Sequence, residues 1–248
     1  MKAMILAAGL GTRLRPLTDN RPKALVEVAG RTLLEITLSR LRVFGTREVI
    51  INAHHFADMV LEYLKTNDNF GMRIEVSREE VLLDTGGGLK KAAYFFLEDS
   101  GRLEEPFILH NVDVISTIDL RRMVRFHTEN RALATLAVQD RETSRYLLFD
   151  EQLQLCGRRS GGDQEGELVR SSPRAQALGF CGIHVISPRL FEVMSEEGVF
   201  SIITAYLRLA SEGEKLLGFR ADEYYWRDLG RPDHVMQAAK DFRQKALL

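Results

Sequence analysis

Met4-Ile5-Leu6-Ala7-Ala8-Gly9-Leu10-Gly11-Thr12-Arg13-Leu14-Arg15-Pro16-Leu17-Thr18 stands at the head of this chain, and Arg21-Pro22-Lys23-Ala24-Leu25 follows closely. Lys2 to Ala8 is a short apolar run that stops at glycine, which reads as a buried strand. Residues 9–32 hold glycine, proline and charge and predict a long loop. Leu33 to Phe44 has helical apolar spacing and stops at Gly45, a residue suited to a left-handed cap. The alternation then repeats. Strands are predicted over Glu48 to Asn52, Arg73 to Ser77, Phe107 to Leu109 (running out at Asp113) and Leu133 to Val138. Between them lie helical faces: Phe56, Met59, Val60, Tyr63 and Leu64; Leu89, Ala92, Ala93, Phe96 and Leu97 behind a Thr85 cap; and Leu120, Met123 and Val124 behind an Asp119 cap. This rhythm predicts an α/β fold, a Rossmann-like doubly wound sheet that is mostly parallel.

The rhythm changes after residue 140. Tyr146 to Phe149 and Leu153 to Cys156 flank Asp150-Glu151-Gln152 as a hairpin. Gly157 to Ala175 is rich in Gly, Ser, Arg and Glu and predicts a mobile, protease-sensitive surface loop. Leu178 to Ile186 reads as a strand leading to a helix from Pro188. Phe200 to Ala210 reads as an amphipathic helix, Tyr224 to Leu229 as a strand, and Pro232 onward as a last helix. No linker divides the chain, so one domain over 1–248 with an inserted β-rich lobe is expected.

Composition narrows the function classes. The 34 Lys and Arg are interspersed among 35 Asp and Glu, leaving a net charge of -1 and no basic stripe for nucleic acid. No apolar run approaches the ~20 residues that span a bilayer, and the first residues are too short an apolar run for a signal peptide. A cytoplasmic enzyme without membrane contact is expected. The two cysteines, Cys156 and Cys181, read as a reduced pair.

The glycine loop after the first strand suits phosphate, because backbone N–H groups can cradle its oxygens and Arg13 and Lys23 add charge. Taken alone, Gly9-Leu10-Gly11 fits a tight turn equally well. The string is not a P-loop, and Leu14 stands where a dinucleotide fingerprint needs glycine. The longer stretch, however, resembles the signature of the sugar-1-phosphate nucleotidyltransferases from Gly9 to Thr18, with Pro22-Lys23 at the matching distance. The resemblance runs on through Leu83-Asp84-Thr85-Gly86-Gly87-Gly88, His110-Asn111-Val112-Asp113-Val114, Gly179-Phe180-Cys181-Gly182-Ile183 and Trp226-Arg227-Asp228-Leu229-Gly230.

That resemblance implies a nucleoside triphosphate and a sugar 1-phosphate as substrates, Mg²⁺ (or Mn²⁺) as cofactor, and a monomer or homodimer. Residues 1–140 would form the nucleotide-binding core, 141–230 the sugar lobe with the second metal aspartate, and 231–248 a terminal helix. Ala8, Gly9, Gly11, Thr12, Arg13, Leu83, Gly87 and Asn111 would hold the nucleotide. Val112, Tyr146, Gly179 and Gly182 would line the sugar pocket, and Asp113 and Asp228 would bind the metal. The reaction brings two polyanions together, so charge and positioning suffice and no covalent nucleophile is needed. Arg13 would fork onto the β- and γ-phosphates, and Lys23 would sit between the α-phosphate and the sugar phosphate. Asp113 ends a strand at the carboxyl edge, where a carboxylate suits Mg²⁺. The triple glycine Gly86-Gly87-Gly88 would let a ligand approach the backbone.

Two departures stand out. Val112 occupies a place where the family has glycine, which predicts a reshaped acceptor pocket. The glutamate-plus-lysine pair of hexose-specific relatives has no counterpart. The compact chain is most similar to N-acetylmuramate 1-phosphate uridylyltransferases of cell-wall recycling. Mannose 1-phosphate guanylyltransferases are the alternative, with a cytidylyltransferase or a non-catalytic nucleotide-sugar sensor behind them. Retention of Arg13, Lys23, Asp113 and Asp228 together favours an active transferase over a sensor.

Overall fold

The computed structural model describes residues 1–98, 104–162 and 166–245. The first half runs β1 (Lys2–Leu6), β2 (Glu27–Val28), β3 (Arg31–Thr32), α1 (Leu33–Phe44), β4 (Glu48–Ala53), α2 (Ala57–Thr66), β5 (Arg73–Arg78), α3 (Asp84–Lys91), α4 (Ala93–Leu97), β6 (Phe107–Asn111), β7 (Val114–Ser116), α5 (Leu120–Asn130) and β8 (Ala134–Gln139). The second half adds β9 (Arg145–Phe149), β10 (Leu155–Ser160), β11 (Glu167–Leu168), β12 (Gln176–Ile186), α6 (Leu190–Val193), α7 (Ile202–Ser211), β13 (Leu216–Arg220), β14 (Trp226–Asp228) and α8 (Pro232–Lys245).

One large sheet has the order β11-β10-β9-β12-β6-β1-β4-β5, with β8 against β12 and β13 against β8. β1 lies between β4 and β6, parallel to both, and β5 continues the parallel run. Side chains alternate across this sheet as a strand demands. Ala3, Ile5, Val49, Ile51 and Ile108 face a core that also contains residues of α1, α2, α5 and α8. Met4, Ile50, Phe107 and Leu109 face a second core with residues of α3, α4 and α7. Helices therefore cover both faces, which is the doubly wound arrangement the alternation predicts. Among the described residues no helix is long and apolar enough to cross a membrane.

Local signals explain most boundaries. The Thr32 hydroxyl caps α1 by accepting the Glu35 N–H at 3.0 Å, and Gly45 ends it at φ 114°. Asp119 caps α5 by accepting the N–H groups of Arg121 and Arg122.

Several expectations need correction. The 9–32 loop contains two short 3₁₀ turns, Thr12–Leu14 and Lys23–Leu25, and the β2–β3 pair. Thr85 does not cap its own helix; its hydroxyl accepts the Ile202 N–H at 3.0 Å, at the start of α7. The helix after it is broken at Ala92, so Leu97 ends up exposed. Met59 is also exposed, because α2 buries only Val60 and Leu64. The helix beyond Pro188 is a single turn. β7 and β13 are strands that periodicity did not reveal.

Gly157 to Ala175 is not a continuous loop. Residues 157–160 belong to β10 and pair with β9, and Glu167–Leu168 form β11. The Glu167 carbonyl oxygen lies 2.2 Å from where a Cβ on Gly157 would be, so the glycine is what admits the β11 pairing. Asp163, Gln164 and Glu165 of that stretch, and residues 246–248 of the expected last helix, lie outside the described residues. Cys156 and Cys181 are both buried and free.

Three histidines are buried within this fold. His110 donates Nδ1–H to the Asn111 carbonyl at 2.8 Å, and Nδ1 of His184 meets the Tyr206 hydroxyl at 3.1 Å. Nδ1 of His127 meets Thr135 Oγ1 at 3.0 Å. Burial, and then the Arg40 guanidinium, push the His110 imidazole down to about 3. Burial, and then His110, push His184 down to about 3. Burial alone pushes His127 down to about 4. Below about 6.5 the unfolded chain binds protons at these rings that the folded chain refuses. The stability they contribute is thus complete above that pH and declines as pH falls toward 3. Each ring contributes a slope of at most roughly 1.4 kcal/mol per pH unit. Urea midpoints measured from pH 7.5 to 4.5 should fall steadily, and His127→Gln should flatten the curve.

Candidate active site

Three parallel strands, β4, β1 and β6, end side by side. Asn52 pairs in register with Leu6, and Leu6 with Asn111. Beyond these ends a cavity of about 500 Å³ opens, bordered by Ala8, Gly9, Lys23, Asn111, Val112 and Asp113. Leu82, Asp84, Thr85 and Val199 close its other side.

Lys23 is delivered by the 3₁₀ turn after Pro22, whose φ of -69° suits the turn, while Ala24 and Leu25 anchor it in the core. Its ammonium pairs directly with the Asp113 carboxylate, and each side chain is 13% exposed. Asp228 reaches the same place from a different part of the chain. β14 pairs antiparallel with β7, setting Asp228 opposite Val114, and the Leu229 N–H donates to the Asp113 carbonyl at 2.8 Å. Burial, reinforced by the Asp113 charge, raises the Asp228 carboxyl above the usual carboxylate range, while Lys23 and Arg13 oppose the rise. Asp228 Oδ1 also accepts the Gly230 N–H at 2.9 Å, so it braces the turn before α8 as well.

Arg13 sits on the 3₁₀ turn pinned by buried Leu14. Its Nη2 lies 3.0 Å from where a Cβ on Gly230 would be, next to Asp228. Arg13 forms no hydrogen bond or ion pair among the described residues. Gly11 is αL at φ 65°, and a Cβ there would meet Thr18 Cγ2 at 2.9 Å. Glycine is thus needed for the turn that carries Thr12 and Arg13. The structure brings Arg13, Lys23, Asp113 and Asp228 to one end of the sheet.

Other expected residues are placed differently. Gly86 and Gly87 both donate to the Phe200 carbonyl. Cβ atoms on Gly86, Gly87 and Gly88 would strike the Phe200 ring, the Gly198 carbonyl and Glu79. The triple glycine therefore makes room for these protein groups, while Leu82, Asp84 and Thr85 of the same stretch border the cavity. Gly182, at φ 70°, makes room for the Asn111 amide, and Gly179 for the Arg141 guanidinium. Tyr146 pairs with Gly179 across β9 and β12 and borders a second cavity. Val112 borders the first cavity, yet its side chain is 2% exposed and packs in the α1-side core.

Sequence reasoning missed one network. Asn52 Oδ1 accepts the Ala7 N–H at 2.7 Å, and its amide donates to Glu79 Oε1 at 2.7 Å. Glu79 Oε2 accepts the Leu83 N–H at 3.0 Å. This buried chain ties the glycine loop to the start of α3. The polar Asn52 closing the apolar run Val49-Ile50-Ile51 was the available signal.

The residues fit a divalent cation. Mg²⁺ takes one or two carboxylates and fills its remaining positions with water and phosphate oxygens. Asp113 and Asp228 form such a pair, and the Lys23 ammonium already seated on Asp113 shows that a cation is accommodated there.

Comparison with known proteins gives the family. The profile of the family described as Nucleotidyl transferase matches residues 2–149. The N-acetylmuramate alpha-1-phosphate uridylyltransferase of Caulobacter vibrioides is 34% identical over 95% of this chain and 94% of its own length. The mannose-1-phosphate guanylyltransferase of Mycobacterium tuberculosis is 30% identical over 96% of this chain, which spans 64% of that longer relative. A UDP-glucose pyrophosphorylase complexed with UDP-glucose shares the fold, with a TM-score of 0.77 at 17% identity and 98% of each chain covered. The chain belongs to the nucleotidyl transferase family, within the class of sugar-1-phosphate nucleotidyltransferases.

Lys23→Ala and Arg13→Ala should each lower kcat by about 10²–10³ while changing nucleotide preference little, as expected if their charges serve the phosphates and not the base. Steady-state kinetics with two nucleoside triphosphates checks this; wild-type kcat in either variant removes that role. Val112→Gly should cost roughly 2–4 kcal/mol of stability, from lost core volume and added backbone freedom. Urea denaturation of the two proteins measures it.

Proposed function

We propose that this protein transfers a nucleotidyl group from a nucleoside triphosphate, UTP foremost, to N-acetylmuramate 1-phosphate or a closely related sugar phosphate. Pyrophosphate is the second product. The observation that carries the reading is the clustering of Asp228, within reach of the Asp113, Lys23 and Arg13 charges, beside a cavity at the carboxyl edge of β1 and β6 that Lys23 and Asp113 border. The uridylyltransferase relative, matched over 94% of its own length, supports the base and the sugar. A cavity of about 500 Å³ lies within the usual range for a small-molecule site.

A phosphate oxygen of the sugar 1-phosphate attacks the α-phosphorus in line. A new P–O bond forms, the bond to the β-phosphate bridging oxygen breaks, and pyrophosphate leaves with the electron pair. The Gly9 to Thr12 loop offers backbone N–H groups to the triphosphate, and Arg13 stabilises the charge gathering on the leaving group. Lys23 exchanges its Asp113 partner for the phosphates and holds the two anions together. Asp113 and Asp228 would hold Mg²⁺, or Mn²⁺ in its place, which supplies Lewis-acid neutralisation of phosphate charge.

The test is a pyrophosphate-release screen of four nucleoside triphosphates against a panel of sugar 1-phosphates. UTP with N-acetylmuramate 1-phosphate should give the highest kcat/KM; GTP with mannose 1-phosphate giving it would replace this reading with a guanylyltransferase. Excess EDTA should abolish turnover and Mg²⁺ should restore it. Asp113→Ala should lose on the order of 10³ in rate. Full turnover in EDTA removes the metal role.

A further inference from the structure

A second cavity, about 610 Å³, lies beside the first. The 199–204 segment contributes to both, through Val199 on one side and Ser201, Ile203 and Thr204 on the other. Three arginines border this second cavity: Arg145 on β9, and Arg158 and Arg159 on β10. The antiparallel register explains the cluster, because Arg158 lies opposite Leu147, Arg159 opposite Tyr146, and Ser160 opposite Arg145.

Among the described residues one acidic side chain, Glu167, borders this cluster. Arg158 donates Nε–H to Glu167 Oε2 at 2.6 Å. The guanidinium groups of Arg145 and Arg159 have no acidic partner among the described residues. Arg159 Nε is buried with no acceptor, while its guanidinium lies 5.1 Å from the Tyr146 ring centroid. A buried donor without a partner costs free energy, which an acceptor entering the cavity would recover. Leu147, Phe180 and Ile203 give the cavity an apolar strip, and Tyr146, Ser160, Ser201, Thr204 and the Arg158-bound Glu167 complete its wall.

We infer that this cavity is a carboxylate-recognising subsite for the acceptor, so that the enzyme selects sugar 1-phosphates bearing a second, carboxylic anion. The inference rests on the proposed transfer to a sugar 1-phosphate. The reacting phosphate belongs beside Lys23 in the first cavity, so an anion in the second must be another group on the same acceptor. Guanidinium forks match a planar carboxylate, and the apolar strip suits a short alkyl arm carrying it.

N-acetylmuramate 1-phosphate and N-acetylglucosamine 1-phosphate differ only by an ether-linked lactate, which makes them the discriminating pair. With UTP saturating, Arg145→Ala and Arg159→Ala should each lower the ratio of kcat/KM between the acidic and the neutral acceptor by about 10–100-fold, chiefly through KM. Arg145→Lys, which keeps charge but loses the fork, should fall between. An unchanged ratio overturns the inference, whether both acceptors lose equally or neither loses. A variant that alters only the response to added inorganic phosphate, equally with both acceptors, also overturns it, because the cluster then serves a free anion. A wild type that releases pyrophosphate with neutral sugars alone overturns the inference and leaves the transferase reading standing. A wild type that releases none with any pair overturns the transferase reading itself.

Discussion

β1 pairs in parallel with β4 on one edge and β6 on the other, and the site depends on that register. Leu6 is in line with both Asn52 and Asn111, so three chain segments separated by scores of residues leave the sheet at one level. Each then does something different. The segment after β1 becomes the glycine loop, the one after β6 presents Val112 and Asp113, and Asn52 turns its amide to hold the loop through the Ala7 N–H. A slip of one residue would turn every side chain of β1 to the opposite face. Ala3 and Ile5 would exchange cores with Met4, so apolar packing on both faces enforces the alignment that the charges require.

Like charges are crowded at this end of the sheet. Two carboxylates approach closely enough that Asp228 is shifted upward by burial and by its neighbour. Lys23 pairs with Asp113, while Arg13 is exposed and makes no ion pair among the described residues. In the proposed reaction Lys23 exchanges that ion pair for contacts with incoming phosphates. That exchange avoids removing a fully hydrated lysine from water at the moment of binding, and it explains why Lys23 is placed on a short, anchored turn rather than a flexible loop.

Much of this was legible in the sequence because it is local. The strand–glycine–arginine string, the Pro22-Lys23 pair and an aspartate closing an apolar strand each carry their physics within a few residues. Caps such as Thr32 and Asp119 are equally local. What escaped depends on distant partners. β7 is three residues long and exists through β14, and β13 through β8. Thr85 looked like a cap for its own helix but serves α7. The triple glycine suggested a ligand, whereas the bulk that excludes a side chain there is Phe200, Gly198 and Glu79. The β10–β11 pairing lacks apolar alternation altogether, and Gly157 opposite Glu167 has no meaning until the two strands are seen side by side.

β12 serves three neighbours with its 11 residues. Ile183 to Ile186 pair with β6, which leads to Asp113, and Gln176 to Gly179 pair with β9, which carries Arg145. The left-handed Gly182 and the irregularity between Phe180 and His184 separate these two halves. A chain built this way is modular along a single strand. The β9–β10 hairpin can change in length, charge or shape while the ladder to β6 keeps its alignment, so under the proposed assignment acceptor choice and phosphoryl chemistry are separable along one strand.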